Sequence, residues 1–378
     1  MNIPLKYNIR NLLVRRLSTG MTLFGVAMVV FIFVGLMALY HGIESSISTT
    51  GSRDNIFIMR KGAITAEVSA LDMGIVNTIK YLPSIQTTPA GEPLVSPEFF
   101  TPVWLPVRGR DEEKLIAVTG IKEIALKVHN GIKIIKGNFP TGSQVMIGRL
   151  VADELGDIEI GNKLYFGRRE WTVSGIFESG GTSFESGIFA PLNDIMSDMK
   201  KGYISSITAK IKEPEKINEV CTEMQEDPKL NVSVQPEIEY YKTISQAISH
   251  IKTLGYLIAI LMAIGAFFGG MNTLYTSINY RKRDIGTLKA LGFSQGSILI
   301  SFVVESLIIS LTGGVIGSLL GLLTNGISTY MIGIVFRFKV TPTIIFQGML
   351  FAVIIGIFGG LIPARGGVKV PTVTALRG

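Results

Sequence analysis

Charge is scarce in this chain: Asp, Glu, Lys and Arg make up 17% of 378 residues, while 47% are hydrophobic. An ordinary soluble domain carries about 25% charged residues. One cysteine, Cys221, excludes an internal disulfide framework, so any extracytoplasmic domain must rely on its own core. Three histidines, with no H-E-x-x-H and no C-x-x-C, leave no recognisable metal site. No G-x-x-x-x-G-K-[ST] occurs, which excludes a Walker-type nucleotide site within these residues. No low-complexity segment and no internal repeat appears.

What the chain does have is long uncharged runs. Leu17 to Tyr40, Thr253 to Tyr280, Ser306 to Phe336 and Val340 to Ala364 hold no ionisable acid or base of the Asp, Glu, Lys or Arg type. Each exceeds the roughly 20 residues a helix needs to cross about 30 Å of hydrocarbon. With a mean hydropathy of +0.41, four transmembrane helices follow. The first is too long for a signal peptide and lacks a small-residue cleavage pattern, so it is expected to stay as an anchor.

Charge sets the orientation. Lys6, Arg10, Arg15 and Arg16, then Arg281, Lys282, Arg283 and Lys289, then Arg365, Lys369 and Arg377 alternate with the spans and face a single acid, Asp284. The positive-inside rule makes these segments, and both termini, cytoplasmic. Residues 41–252 hold 23 basic and 27 acidic side chains and fall outside. The net charge of +7 is therefore a topological signal and not a nucleic-acid footprint.

The expected order is an amphipathic helix at 1–20, spans at 21–42, 249–280, 295–335 and 343–364, an extracytoplasmic α+β domain at 43–248, a cytoplasmic helix at 281–294, a short outer loop at 336–342 and a tail at 365–378. Ile43 and Ile47 after the first span, and Tyr241, Ile244 and Ile248 before the second, have the three- and four-residue spacing of a helix-pairing stalk. His41 and His250 would then stand at similar height as interfacial polar residues. Between them "NIFIMRKG", "GIKIIKG", "QVMIG", "NKLYFGRREWTVSGIF" and "SSITAKI" read as strands, and "GRLVADELG" and Glu215 to Asp227 as helices. Six prolines between Pro83 and Pro106 suggest a β-rich insert reaching to Gly120.

Three small-residue sets stand at packing distance along the spans: Gly265 with Gly269, Gly313 with Gly317 and Gly321, and Gly356 with Gly360. They serve either the chain's own bundle or a dimer seam. Glu305 lies about two turns into the third span, where an ionisable group must face the bundle interior or find a partner. It is either a relay or a structural contact, for instance to Lys289. Ser183 in "ESGGTSFESG", with Glu178, Glu185 and His129, lacks a nucleophile-elbow pattern and reads better as a surface loop.

"NYRKRDIGTLKALGFS", residues 279–294, resembles the cytoplasmic motif of the MacB, LolC/LolE and FtsX permease family, approximately E-R-x-[RK]-E-I-G-x-[LM]-[RK]-A-[LI]-G-[AF]-[ST]. Arg281, Arg283, Asp284, Ile285, Gly286, Leu288, Lys289, Ala290, Leu291 and Gly292 match it, with Asp284 for the usual Glu. "RNLLVRRLSTGMTLFGVAMVV", "GGMNTLYTSI", Glu305 and "GGLIPARGGVKVPTVTAL" resemble further family segments in the same order. "GNFPTGSQVMIGRLVADEL" and "GNKLYFGRREWTVSGIF" fit more loosely.

The resemblance implies a type VII ABC transporter permease: four spans, a large domain between the first two, and a dimer, homologous or identical. Two copies of a separate cytoplasmic ATPase would carry the ATP and magnesium, so this chain itself would bind no cofactor and would not be an enzyme. A helix with Ile285, Leu288 and Leu291 on one side could seat in that ATPase. Closure of the ATPase would then move the outer domain, a mechanotransmission. The expected work is export or extraction of a lipid, lipoprotein, peptide or hydrophobic drug, with a periplasmic adaptor as a possible partner. A signalling role like that of FtsX, activating cell-wall hydrolases without transport, is the alternative.

Overall fold

A computed structural model describes residues 10, 12, 14, 16–280, 282–331 and 334–368. Most of the expected amphipathic helix at 1–20, Arg281, and the tail basic residues Lys369 and Arg377 lie outside them. The chain divides into two units: residues 1–41, 249–327 and 338–378, and residues 42–248 with 328–337.

The first unit is helical. Four helices are long and apolar enough to cross a membrane: Arg16–Ser48, Glu237–Tyr280, Gln295–Leu322 and Pro342–Val368. The first and last of these share a core of Val26, Val30, Phe33, Val34, Ile344 and Ala352. The Phe33 ring lies 4.9 Å from Phe351 and 5.8 Å from Tyr256. Lys252 Nζ stands 5.4 Å above the Tyr40 ring, so the first and second helices adjoin there.

Glycines set how closely these helices approach. A Cβ on Gly317 would stand 2.4 Å from the Ala27 carbonyl oxygen, and one on Gly313 2.9 Å from that of Leu23. On Gly321 it would meet Val34. Gly356 and Gly360 abut Ser310 and Ser306 in the same way. These five therefore pack this chain's own bundle. Gly265 and Gly269 differ, since nothing lies within 4 Å of a Cβ built on either. They line an open groove between the first and second helices, beside Met28 and Met262.

The second unit is a mixed sheet clasped by short helices. Its strands are β1 (Asn55–Arg60), β2 (Leu71–Asp72), β3 (Val95–Pro106), β4 (Glu113–Ile121), β5 (Lys133–Gly137), β6 (Gln144–Gly148), β7 (Lys163–Phe166), β8 (Arg169–Glu178), β9 (Gly187–Pro191), β10 (Tyr203–Ile204), β11 (Ser206–Lys210) and β12 (Val232–Pro236). The main sheet runs β12-β1-β11-β3-β4-β9-β6-β8-β5, with β7 also on β8, and β10 pairs β2 apart from it. Only β4 with β9 and β6 with β8 are parallel. Alternating apolar residues such as Ile56 and Ile58, Val145 and Ile147, and Trp171 and Val173 point into one core. Helices Arg149–Glu154, Leu192–Asp198 and Ile217–Glu226 cover it.

Two expectations need correction. The proline-rich segment is no insert, because β3 and β4 sit in the middle of the sheet. Residues Val95–Glu98 pair with β11, whereas Phe99–Pro106 pair with β4. Each half of β3 thus keeps one side without a ladder partner, which is how Pro97, Pro102 and Pro106 fit in an interior strand.

The third span is also shorter than 295–335. Its helix ends at Leu322, Gly326 takes φ +81°, and the chain turns into β13 (Ser328–Met331) and β14 (Ile334–Arg337), a hairpin where span and outer loop were expected. Val335 is fully buried in the core of the second unit, Ser186 Oγ donates to its carbonyl, and Arg337 pairs with Asp153 at 3.4 Å. An uncharged run rich in Ile, Val, Tyr and Phe reads equally as membrane helix or buried strand.

Candidate functional site

Two places concentrate polar design. The first is the link between the second and third long helices. Helix Lys282–Ala290 ends in a Schellman arrangement: Phe293 N donates to Leu288 O at 3.1 Å and Gly292 N to Lys289 O at 3.1 Å, with Gly292 at φ +90°. Ser294 then caps the next helix, its Oγ accepting from Ser297 N at 3.2 Å. The turn is tight and its geometry fixed by sequence.

The faces of this helix differ from the expectation. Ile285 is buried with Ile278, Ile298, Phe302 and Ala364, and Leu288 packs beside it. Leu291 is 66% exposed. At 100° per residue, Leu291 stands about 120° around the axis from Ile285. Ile285 and Leu288 thus anchor the helix to its own bundle, and Leu291 remains outward, beside exposed Ala290. Gly286 is buried and Lys289 half-buried. Arg281, and the side chains of Arg283 and Asp284, lie outside the described residues. Glu305, in the following helix, is 3% exposed and faces the interior.

The second place is a buried cluster in the sheet unit. His129 follows helix Ala125–Val128, Glu98 stands where β3 changes partner, and Glu237 opens the helix Glu237–Tyr280. His129 Nε2 lies 2.6 Å from Glu98 Oε1. Its Nδ1 lies 3.3 Å from Glu237 Oε1, an ion contact whose angle does not make a hydrogen bond. Glu237 Oε2 accepts from Ser52 N at 2.8 Å and from Asn55 Nδ2 at 2.9 Å. Asn55 also donates to Val128 O at 3.0 Å. Gly51, at φ +97°, lets the end of the first long helix pass within 3.3 Å of Glu237 Cγ and 3.0 Å of Tyr241 Cδ2, measured from a Cβ built there.

Burial opposes the charged imidazole, but the charges of Glu98 and Glu237 outweigh it and raise His129 to about 10. Burial, with the Glu237 charge, also holds the Tyr241 hydroxyl well above its ordinary value. His129 is thus held as a cation near neutral pH between two carboxylates, and is no general base for Ser183, whose hydroxyl pairs with Thr50 at 3.0 Å. Glu185 accepts from the amides of Ser179 and Gly181, and exposed Glu178 pairs with Arg149 at 3.0 Å. No hydrolytic arrangement forms among these residues.

Of the stalk residues, Ile43 and Ile47 are buried. Tyr241 and Ile244 pack against Phe57, Met59 and Tyr240, so their apolar face meets β1. The side chain of Ile248 lies outside the described residues. Sequence reading missed Glu98, Glu237 and Asn55. The available signal was Glu98 itself, a carboxylate between Val95 and Phe99 in an otherwise apolar strand.

Beside the cluster is a cavity of about 320 Å³, whose lining includes Phe57, Phe100, Phe184, Phe189, Tyr240 and Tyr241 together with Glu98. Among the described residues no group of three metal-ligating side chains forms a metal site.

Comparison with known families decides the wider setting. The MacB-like periplasmic core domain matches residues 19–227, more than half of the chain, and the FtsX-like permease C-terminal domain matches residues 256–372. The chain belongs to the MacB and FtsX-like permease family. An uncharacterized ABC transporter permease of Methanocaldococcus jannaschii is 28% identical, over 59% of this chain and 58% of that one. The permease YknZ of Bacillus subtilis is 24% identical, over 71% and 72%. A macrolide export ATP-binding/permease protein MacB of Bdellovibrio bacteriovorus is 25% identical, over 97% of this chain and 60% of its own length. The periplasmic region of MacB from Actinobacillus actinomycetemcomitans superposes at a TM-score of 0.39 with 18% identity, covering 55% of this chain and 97% of that region.

Residues 42–227 of the sheet unit fall within the periplasmic-core match, which also takes in the first long helix, and the permease C-terminal match covers the third and fourth long helices. The chain is an ABC transporter permease of the MacB and FtsX-like type.

Proposed function

We propose that this permease sits in a bacterial inner membrane with the helix Lys282–Ala290 on the cytoplasmic side, where a separate ABC ATPase docks on it. ATP hydrolysis there is converted into movement of the sheet unit, which drives export or extraction of a lipid, lipoprotein, peptide or hydrophobic drug. The carrying observation is the fixed link between the second and third long helices. Ile285 and Leu288 lock the short helix to the bundle, so a push on Leu291 is delivered to Ile278, Ile298 and Phe302. The basic side chains on this segment and the positive-inside rule support its orientation. The MacB relatives are named for macrolide export, which supports export as the work. Pairing of two permeases and a periplasmic adaptor complete the proposed assembly.

The test is reconstitution with the cognate ATPase. Leu291→Asp, on an exposed position, is expected to insert normally and to lose at least about tenfold in docking affinity, with loss of ATPase stimulation. Unchanged stimulation sinks the docking role. Stimulation with no transported substrate, but with activation of a cell-wall hydrolase, would support the signalling reading instead.

A further inference from the structure

The cavity beside the buried cluster lies within the sheet unit, apart from the coupling link. Six aromatic rings are among its lining residues, and so is Glu98, a carboxylate that is 7% exposed. The charge balance there is uneven. His129 is one cation between Glu98 and Glu237, and among the described residues no lysine or arginine pairs with either carboxylate. A third buried carboxylate, Glu185, belongs to the turn Ser183–Ser186 that supplies Ser183 and Phe184 to the wall. The outer lip carries Ala66 and exposed Glu67, flanked by Ile64 at 83% and Val68 at 62% exposure. This lip is held in place, since Ala66 N donates to Tyr240 Oη at 3.2 Å.

We propose that this cavity binds a hydrophobic organic cation, an aryl- or alkylammonium group entering past Ile64 and Val68 to reach Glu98. Ring faces attract a cation through their quadrupoles, and an excess buried carboxylate gives it a charge-assisted hydrogen bond. A neutral molecule of the same shape gains only the apolar burial, and an anion meets repulsion from Glu98. The occupant touches Tyr240, Tyr241 and Ile244, so the opening turns of the helix Glu237–Tyr280 form part of its seat. The inference does not depend on transport or on the ATPase.

The experiment uses the full chain in lipid nanodiscs and three probes of matched shape: naphthylmethylammonium, naphthylmethanol and naphthylacetate. Titration calorimetry should show the ammonium binding about tenfold or more tightly than the alcohol, with the acetate weakest. Ala117→Trp fills the cavity from the half-buried wall position 117 without touching the cluster. It should abolish the ammonium heat above lipid partitioning while melting like the wild type. Glu98→Gln should bring the ammonium down to the alcohol. Equal binding of the three probes, or ammonium binding undiminished by Ala117→Trp, overturns the proposal.

Discussion

His129 ties three parts of the sheet unit through two glutamates, so its removal strands two buried carboxylates. His129→Gln is expected to destabilise this unit by about 3–5 kcal/mol, read as a lower denaturant midpoint for protection of residues 42–248 from protease. The pH dependence has a definite sign. The folded value lies at about 10 against an ordinary value of 6.5. The stabilisation is therefore complete below about 6.5 and is lost as pH rises toward and through about 10. Thermal midpoints should fall between pH 7 and pH 10 in the wild type, and less steeply in His129→Gln. Asp54 acts at the other end. Burial opposes its charge, but hydrogen bonds from the Ser52 hydroxyl and Lys210 lower it. Its contribution is present above the ordinary aspartate value and is lost as pH falls through the lowered one.

Helix contacts separate glycines that the sequence presents alike. Gly317→Leu must push against the Ala27 carbonyl and Val30, and should cost about 1–3 kcal/mol or abolish the folded bundle, measured as aggregation temperature in detergent. A Cβ at Gly269 meets nothing within 4 Å and opens onto the groove, so Gly269→Leu should leave that temperature unchanged. The same contrast applies to the short helix. Ile285→Asp buries an unpaired charge and should reduce folded yield, whereas Leu291→Asp should spare it. Ser294→Ala removes the N-cap hydrogen bond to Ser297 N of the helix Gln295–Leu322 and should cost about 1 kcal/mol.

Across the whole molecule, the spans and the link were legible because apolar length and charge scarcity are properties of composition. Four runs without charge became four long helices, and the punctuation in "GTLKALGFS", Gly292 and Ser294, became a Schellman stop and a cap. The strands "NIFIMR", "QVMIG" and "SITAK" appear where β-branched residues alternate. Other features were not legible. The hairpin strands Ser328–Met331 and Ile334–Arg337 are uncharged up to Arg337, and burial of Val335, the Ser186 contact and the Arg337–Asp153 pair tie them to the sheet unit. Periodicity cannot separate a buried strand from a membrane segment when both faces are apolar.

The sequence by itself determined how many long apolar helices there are, which segments carry the positive charge, and where the short helix stops. These follow from local propensities and from the cost of placing charge in hydrocarbon. Tertiary structure alone decided which side of that helix is free, which glycines bear helix contacts, and that Glu98, His129 and Glu237 meet. Those outcomes depend on residues 31 to 182 positions apart being brought within 3.3 Å of one another, and no local pattern records such distances.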